Sequence, residues 1–277
     1  MAKNKRKSQT ASRKSQAAKA DKYELYQNSV QEPACEVEFF DRVFAKEFGR
    51  APRVLREDFC GTAAVCCEWV KSRADRRAIG VDLDPEPVQW CRDHTFATID
   101  PEAQDRIAFI LDDARKPLDE KADVLAAQNF SFFLFKTREA LQEYFQAARA
   151  NLAEQGLLVL DMMGGSDVML EDHCDVSKKK GFTYIWEQER FDPITHDCRF
   201  HIHFKFPDGS KLKRAFTYDW RLWTLPEVQE LLLEAGFREA NVYWEGVDDD
   251  GEGDGVFRKR KHGTADPAWI AYVVGVK

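Results

Sequence analysis

Between residues 53 and 162, short β-rich apolar runs alternate with stretches of helical periodicity. That rhythm constrains the fold, because strands separated by helices of roughly 10 to 15 residues pair in parallel, with the helices covering the sheet. Val37, Phe40, Phe44 and Phe48 recur at helical spacing behind Pro33, which suits the start of a helix, so residues 34–48 should form an amphipathic helix. The rhythm then predicts an apolar run at 53–57, a helix at 63–73, a strand at 78–82, and a helix capped by Asp84 that opens on Pro85 and runs to 98. Strands at 107–111, 123–128 and 157–162 follow, with a helix over 138–152 that carries Leu141, Phe145, Ala148 and Leu152 on one face. The expectation is an α/β protein with a doubly wound parallel sheet.

The pattern changes after Gly164. Residues 182–190, 197–206 and 211–219 are three β-rich runs separated by Asp192-Pro193 and Asp208-Gly209, so 166–219 reads as an antiparallel insertion. The βα rhythm returns where Thr224 and Glu227 make a capping box for a helix that stops at Gly236, followed by strands at 240–246 and 269–276. Residues 21–165 and 220–277 therefore form one domain around the insertion. With 277 residues, 44% of them apolar, the chain can bury the core that this domain requires.

Charge is unevenly placed. The net charge is −7, yet residues 1–22 carry +7, which leaves −14 on the rest. Residues 1–20 have almost no bulky apolar side chains and are expected to be a disordered basic tail, either solubilising or a nucleic acid contact through phosphates. No window reaches the roughly 18 consecutive apolar residues of a membrane helix, and the N-terminus lacks an apolar signal region, so a cytoplasmic location without membrane contact is expected. The seven cysteines form no CxxC pair and read as reduced packing residues.

In an open α/β sheet a ligand sits at the carboxyl ends of the strands, so the residues that follow each strand are informative. After the first strand comes Glu57-Asp58-Phe59-Cys60-Gly61-Thr62-Ala63, where small residues let the backbone approach a ligand closely. About 20 residues later Asp82 ends the second strand, where a carboxylate can accept both hydrogen bonds of a ribose diol. Asp112-Asp113-Ala114 follows the third strand and Gln128-Asn129-Phe130-Ser131 the fourth.

On these residues the sequence resembles the class I S-adenosylmethionine-dependent methyltransferases over roughly residues 23–277. Val54-Leu-Arg-Glu-Asp-Phe-Cys-Gly-Thr-Ala63 is similar to that family's nucleotide-binding loop, an acidic residue followed by GxGxG. Phe59 replaces the first glycine and Ala63 the last, while Arg56 and Asp58 put charge into a usually apolar strand. The resemblance implies a seven-stranded Rossmann-like sheet with an antiparallel lid between strand 5 and the last helix. It also implies S-adenosyl-L-methionine as cofactor and S-adenosyl-L-homocysteine as product. By it, Glu57 would face the methionine amino group, with Asp58 as the alternative, and Phe59, Cys60, Gly61 and Thr62 would form the cofactor turn. Asp82 would hold the ribose, Leu83 would pack on adenine, and Asp113 with Ala114 would recognise the adenine edge. Gln128 and Tyr23 join the implied cofactor contacts, and Tyr23 and Tyr26 resemble an N-terminal aromatic segment that closes over the cofactor.

Residues 123–135 lack the N/D-PP-aromatic motif of base-amine methylation and resemble the small-molecule branch that includes amino-sugar and glycine-type N-methyltransferases. A small-molecule nitrogen or oxygen acceptor follows from that resemblance, and the branch's lid sometimes forms a homodimer contact. Proximity supplies most of such a reaction. The candidate catalytic residues are His201 or His203, as a base pointing from the lid, and Tyr26. Strand alternation separates Cys198 from these histidines, so no metal is expected. Trp220 and Trp223 are expected either in an acceptor pocket or in the core, and 248–255 as a hairpin loop. Two other readings remain: an RNA or protein methyltransferase recruited by the tail, and a non-catalytic cofactor-binding protein that has lost the loop glycines.

Overall fold

The computed structural model describes residues 14–247 and 253–277. Asp21 caps α1 (Lys22–Val30) by accepting the N–H groups of Tyr23 and Glu24. Pro33 opens α2 (Pro33–Phe48), which buries Val37, Phe40 and Phe44 and ends on Gly49 in the left-handed region. There follow β1 (Val54–Asp58), α3 (Ala64–Ser72), β2 (Arg77–Asp82), α4 (Pro85–Asp93), the short α5 (Pro101–Gln104), β3 (Ile107–Leu111), β4 (Ala122–Ala127), α6 (Arg138–Asn151) and β5 (Leu152–Gly164). Next come four antiparallel strands, β6 (His173–Lys179), β7 (Phe182–Phe191), β8 (Asp197–Lys205) and β9 (Lys211–Arg221). The chain finishes with α7 (Leu225–Glu234), β10 (Glu239–Val247), β11 (Gly253–Arg260) and β12 (Trp269–Val276).

The large sheet runs β11-β10-β12-β5-β4-β1-β2-β3, with β1 to β5 parallel and β12 antiparallel to β5. Phe40, Phe44 and Trp69 pack on one face, while Tyr144, Phe145, Leu231 and Leu232 pack on the other. Helices on both faces explain why β4 is buried along its whole length. The small sheet, β6-β7-β8-β9, is two-sided. Phe200, Ile202 and Phe204 pack inward with Trp186, Phe216 and Tyr218, while Glu187, Glu189, His201 and His203 alternate to the other face.

The eighth strand of the large sheet, β11, and the fourth of the small one, β6, were not expected. Both are edge strands with mostly exposed side chains, so no apolar alternation marks them. Helix α1 was likewise unmarked, since it buries only Tyr23 and Leu25. The helix expected over 85–98 leaves α geometry at His94, and Phe96–Thr98 form a separate 3-10 turn. Disorder through residue 20 also needs correction. Gln16 N–H donates to Asp208 at 2.8 Å and Ala17 N–H to Ser210 at 3.0 Å, which ties the segment to the β8–β9 turn, with Ala17 and Ala20 on its apolar cluster. Residues 1–13, most of the basic tail, and 248–252 of the expected hairpin loop lie outside the described residues. Among the described residues no helix is long and apolar enough to cross a membrane.

Candidate active site

The order of strands reverses between β1 and β4, and a ligand crevice belongs at such a point. A cleft of about 340 Å³ opens there. It is lined by the turn after β1 with Asp82 and Gln128, and by an aromatic group in which Tyr23 and Tyr26 of α1 pack on Phe216 of β9 at 5.9 and 4.9 Å, next to Tyr218 and Trp220. The size is in the range of small-molecule sites.

The turn after β1 keeps a glycine-like path without the glycines. Phe59 has φ 58°, Gly61 φ 50° and Ala63 φ 47°, so two residues with side chains occupy the left-handed region at roughly 1–3 kcal/mol each. Packing and hydrogen bonds offset this strain. The Phe59 ring meets Tyr144 and Phe135 at 5.5 and 6.1 Å, Cys60 N–H donates to the Val81 carbonyl at 3.1 Å, and Gly61 N–H donates to Asp82 Oδ2 at 2.7 Å. Asp82 Oδ1 accepts from Asp84 N–H at 2.8 Å. Each oxygen keeps further lone-pair capacity for a ligand donor. Burial raises this carboxyl above its ordinary range despite those two N–H groups.

Glu57 and Asp58 part company because successive strand residues face opposite sides. Glu57 lines the cleft and accepts the Cys66 N–H at 3.0 Å, which helps cap α3; burial pushes it up to about 7. Asp58 points into the core, bonded to Arg56 and Tyr144, and does not reach the cleft as an alternative to Glu57. Asp161, in the last third of β5, accepts Asn129 and Phe130 N–H groups at 2.9 Å each and thereby holds the loop after β4. Both loop residues have φ 57°, so this carboxylate fixes a strained turn. Gln128 donates its amide to the Val159 carbonyl at 3.2 Å, which leaves its buried Oε1 without a partner.

The cleft therefore gathers Tyr23, Tyr26, Glu57, Phe59, Cys60, Gly61, Thr62, Asp82 and Gln128. It does not gather Leu83, Asp113 or Ala114. Leu83 is 71% exposed, Asp113 is bound by Arg115 at 2.7 Å, and the Ala114 carbonyl accepts Arg56 at 2.5 Å. His201 and His203 are also absent from it. They lie on the opposite face of the small sheet, His201 between Thr217 at 2.8 Å and Glu189 at 3.2 Å, and His203 on Glu187 at 2.7 Å. Strand parity decides this: Phe200 and Ile202 point inward, so 201 and 203 cannot. Tyr26 does line the cleft, but burial pushes its hydroxyl up to about 12, so near neutral pH it is a hydrogen-bond donor and not a base. Trp223 is core, its indole N–H on the Phe135 carbonyl at 3.0 Å. Asn129 and Ser131, from the run named after the fourth strand, line it too, whereas Lys22, Gln31, Leu134, Phe216 and Tyr218 line it without having been singled out. Inward parity along β9 was the available signal for Phe216 and Tyr218.

No protein-family model matches the sequence, and no curated protein matches it. Solved structures do. An S-adenosylmethionine-dependent methyltransferase from Clostridium acetobutylicum ATCC 824 superposes with a TM-score of 0.66 at 15% identity, covering 92% of this chain and 97% of that one. The sugar N-methyltransferase KedS8 from Streptoalloteichus sp ATCC 53650 gives 0.62 at 20% identity, over 100% and 98%. CalS10, an amino pentose methyltransferase from Micromonospora echinaspora, gives 0.64 at 15%, over 93% and 98%. The chain has the fold of the S-adenosylmethionine-dependent methyltransferases, a mostly parallel α/β sheet with an added antiparallel sheet.

Proposed function

We propose that this protein is an S-adenosylmethionine-dependent methyltransferase that methylates a nitrogen or oxygen of a small, ring-bearing acceptor. The observation that carries this is one cleft lined both by Glu57, the Cys60–Thr62 turn and Asp82 and by the aromatic side chains of Phe216, Tyr218 and Trp220. The sugar and amino pentose methyltransferases that share the fold support an amino sugar or a similar ring as acceptor.

The residues present fit the cofactor. Asp82 retains acceptor capacity for a ribose diol, Glu57 offers a buried carboxylate to an amino group, and the Cys60–Thr62 backbone is free of bulky side chains where it borders the cleft. When bound, S-adenosylmethionine supplies an electrophilic methyl on a sulfonium. The protein's part is then alignment and exclusion of water. Tyr26 and Tyr218 line the cleft and would orient an acceptor there, and Trp220, stacked on Tyr218 at 4.3 Å, would give it a flat surface.

Calorimetric titration with S-adenosylmethionine and S-adenosylhomocysteine tests the reading, with Asp82→Ala as control. Binding that the variant loses supports the site and licenses a methyl-transfer screen against amino sugars and ring alcohols. No heat and no thermal shift with either ligand would remove the proposal.

A further inference from the structure

The large sheet has two outer strands, β11 and β3. The first is guarded: Arg258, Lys259 and Arg260 stand on it, and Arg42 Nη2 donates to its Phe257 carbonyl at 2.8 Å. The second reads Ile107-Ala108-Phe109-Ile110-Leu111, with no charge, proline or glycine along it. The Ala78 N–H donates to the Arg106 carbonyl at 2.9 Å and the Asp112 N–H donates to the Asp82 carbonyl at 3.0 Å, so residues 106, 108, 110 and 112 turn their backbone groups to β2. Ile107, Phe109 and Leu111 turn theirs outward, and among the described residues nothing bonds them. Leu111 is 55% exposed, and Ala108 is exposed as well. An apolar strand that ends a sheet with its N–H and C=O groups open is a template for another strand.

The residues of β3 and its flanks complement themselves. Antiparallel pairing with a second copy about a two-fold axis at Phe109 sets Phe109 against its own image and Ile107 against Leu111, and these outward-facing residues exchange both backbone bonds. Ala108 then meets Ile110, and just beyond the strand Arg106 meets Asp112. A shift of one residue would set open backbone groups against ones already bonded to β2, and a shift of two would separate Arg106 from Asp112. Arg106 forms no ion pair among the described residues, its Nε and Nη1 being on the carbonyls of Glu102, Arg73 and Arg76. Asp112 is half-exposed and holds Lys116 at 2.8 Å.

We propose that β3 is the contact through which two copies of this protein associate, joining their large sheets across a two-fold axis at Phe109. The contact is independent of the chemistry in the cleft. Because the paired strands run in opposite directions, the two clefts, at the carboxyl edges, open at opposite ends of the joined sheet and both stay accessible. The Arg92 guanidinium lies over the Phe109 ring at 4.7 Å, so the copies meet along the strand edge and not ring to ring. Five residues a side make a small interface, and the dimer should form and dissociate with concentration.

Sedimentation velocity of the full-length protein over roughly 1–100 μM tests this, with amide hydrogen exchange at both ends of the range. The average mass should climb from the monomer toward twice that value and return on dilution. Exchange at Ile107, Phe109 and Leu111 should slow as concentration rises, while Ala108 and Ile110, bonded to β2, stay slow throughout. Ala108→Lys, which puts a charge into the contact, should remain monomeric over the whole range. Leu111→Pro, which deletes an outward N–H and spares the β2 ladder, should do the same and serves should Ala108→Lys fail to fold. Asp112→Lys, which sets a cation against Arg106, should weaken association by about tenfold. A parent protein that stays monomeric overturns the proposal. A dimer that persists in both strand variants, or that leaves exchange at 107, 109 and 111 unchanged, places the contact on another surface and overturns it too. Assemblies larger than a dimer that the variants abolish would overturn the two-fold pairing.

Discussion

Arg56 and Asp58, two residues apart on β1, meet at 2.6 Å in the interior of the large sheet, 1% and 0% exposed. The Tyr144 hydroxyl completes Asp58 at 3.1 Å, and Arg56 Nη2 donates to the Ala114 carbonyl at 2.5 Å. This pair ties β1 to α6 and to the loop after β3 directly beneath the cofactor-type turn. It also explains how a strand with alternating charge can sit in the middle of a parallel sheet.

Breaking the pair should be costly. Arg56→Met leaves Asp58 buried and uncompensated, so unfolding free energy should drop by about 3–5 kcal/mol in urea titrations, whereas Arg56→Met combined with Asp58→Leu should recover most of it. A double variant as unstable as the single would show that the charges themselves are required.

Asp82 carries two loop N–H groups and faces the cleft. Asp82→Ala should weaken S-adenosylhomocysteine binding by roughly 10- to 100-fold, the worth of hydrogen bonds to a charged group. Equal affinity by calorimetry would move the nucleoside elsewhere in the cleft.

His201→Ala and His203→Ala should leave kcat for methyl transfer within about twofold of the parent, since both rings lie across the small sheet from the cleft. Only His201, 2% exposed, should lower the Tm noticeably, by the loss of a buried polar contact.

Stability should fall as pH rises from about 5 to 8. Glu36 at about 8, and Glu57 and Asp161 at about 7, keep protons in the folded state that the unfolded chain gives up near ordinary carboxyl values, so the folded state binds more protons across that window. Tm against pH reads this directly. Glu36→Gln should remove the upper part of the decline, and a Tm rising over the same interval would contradict it.

Much of the fold was legible because its signals are local. Pro33, Asp84-Pro85 and the Thr224/Glu227 box mark helix starts by satisfying orphan N–H groups, and the structure places helices at each. The gathering of Glu57 to Thr62 and Asp82 in one cleft was legible because these residues end strands or follow them, and a parallel sheet delivers such residues to one edge. Edge strands β6 and β11 left no such mark, because they bury little.

What the sequence by itself determined is therefore the order of elements, the parallel sheet and the residues at its carboxyl edge, all of which follow from periodicity and capping within a few residues. The tertiary structure alone decided which face of β8 packs inward, that Asp58 belongs to Arg56, and that Glu36 and Asp161 stand near each other from α2 and β5. Those outcomes depend on register and on contacts between residues 125 positions apart in the last case, and burial acts on such groups only once distant strands and helices have closed around them.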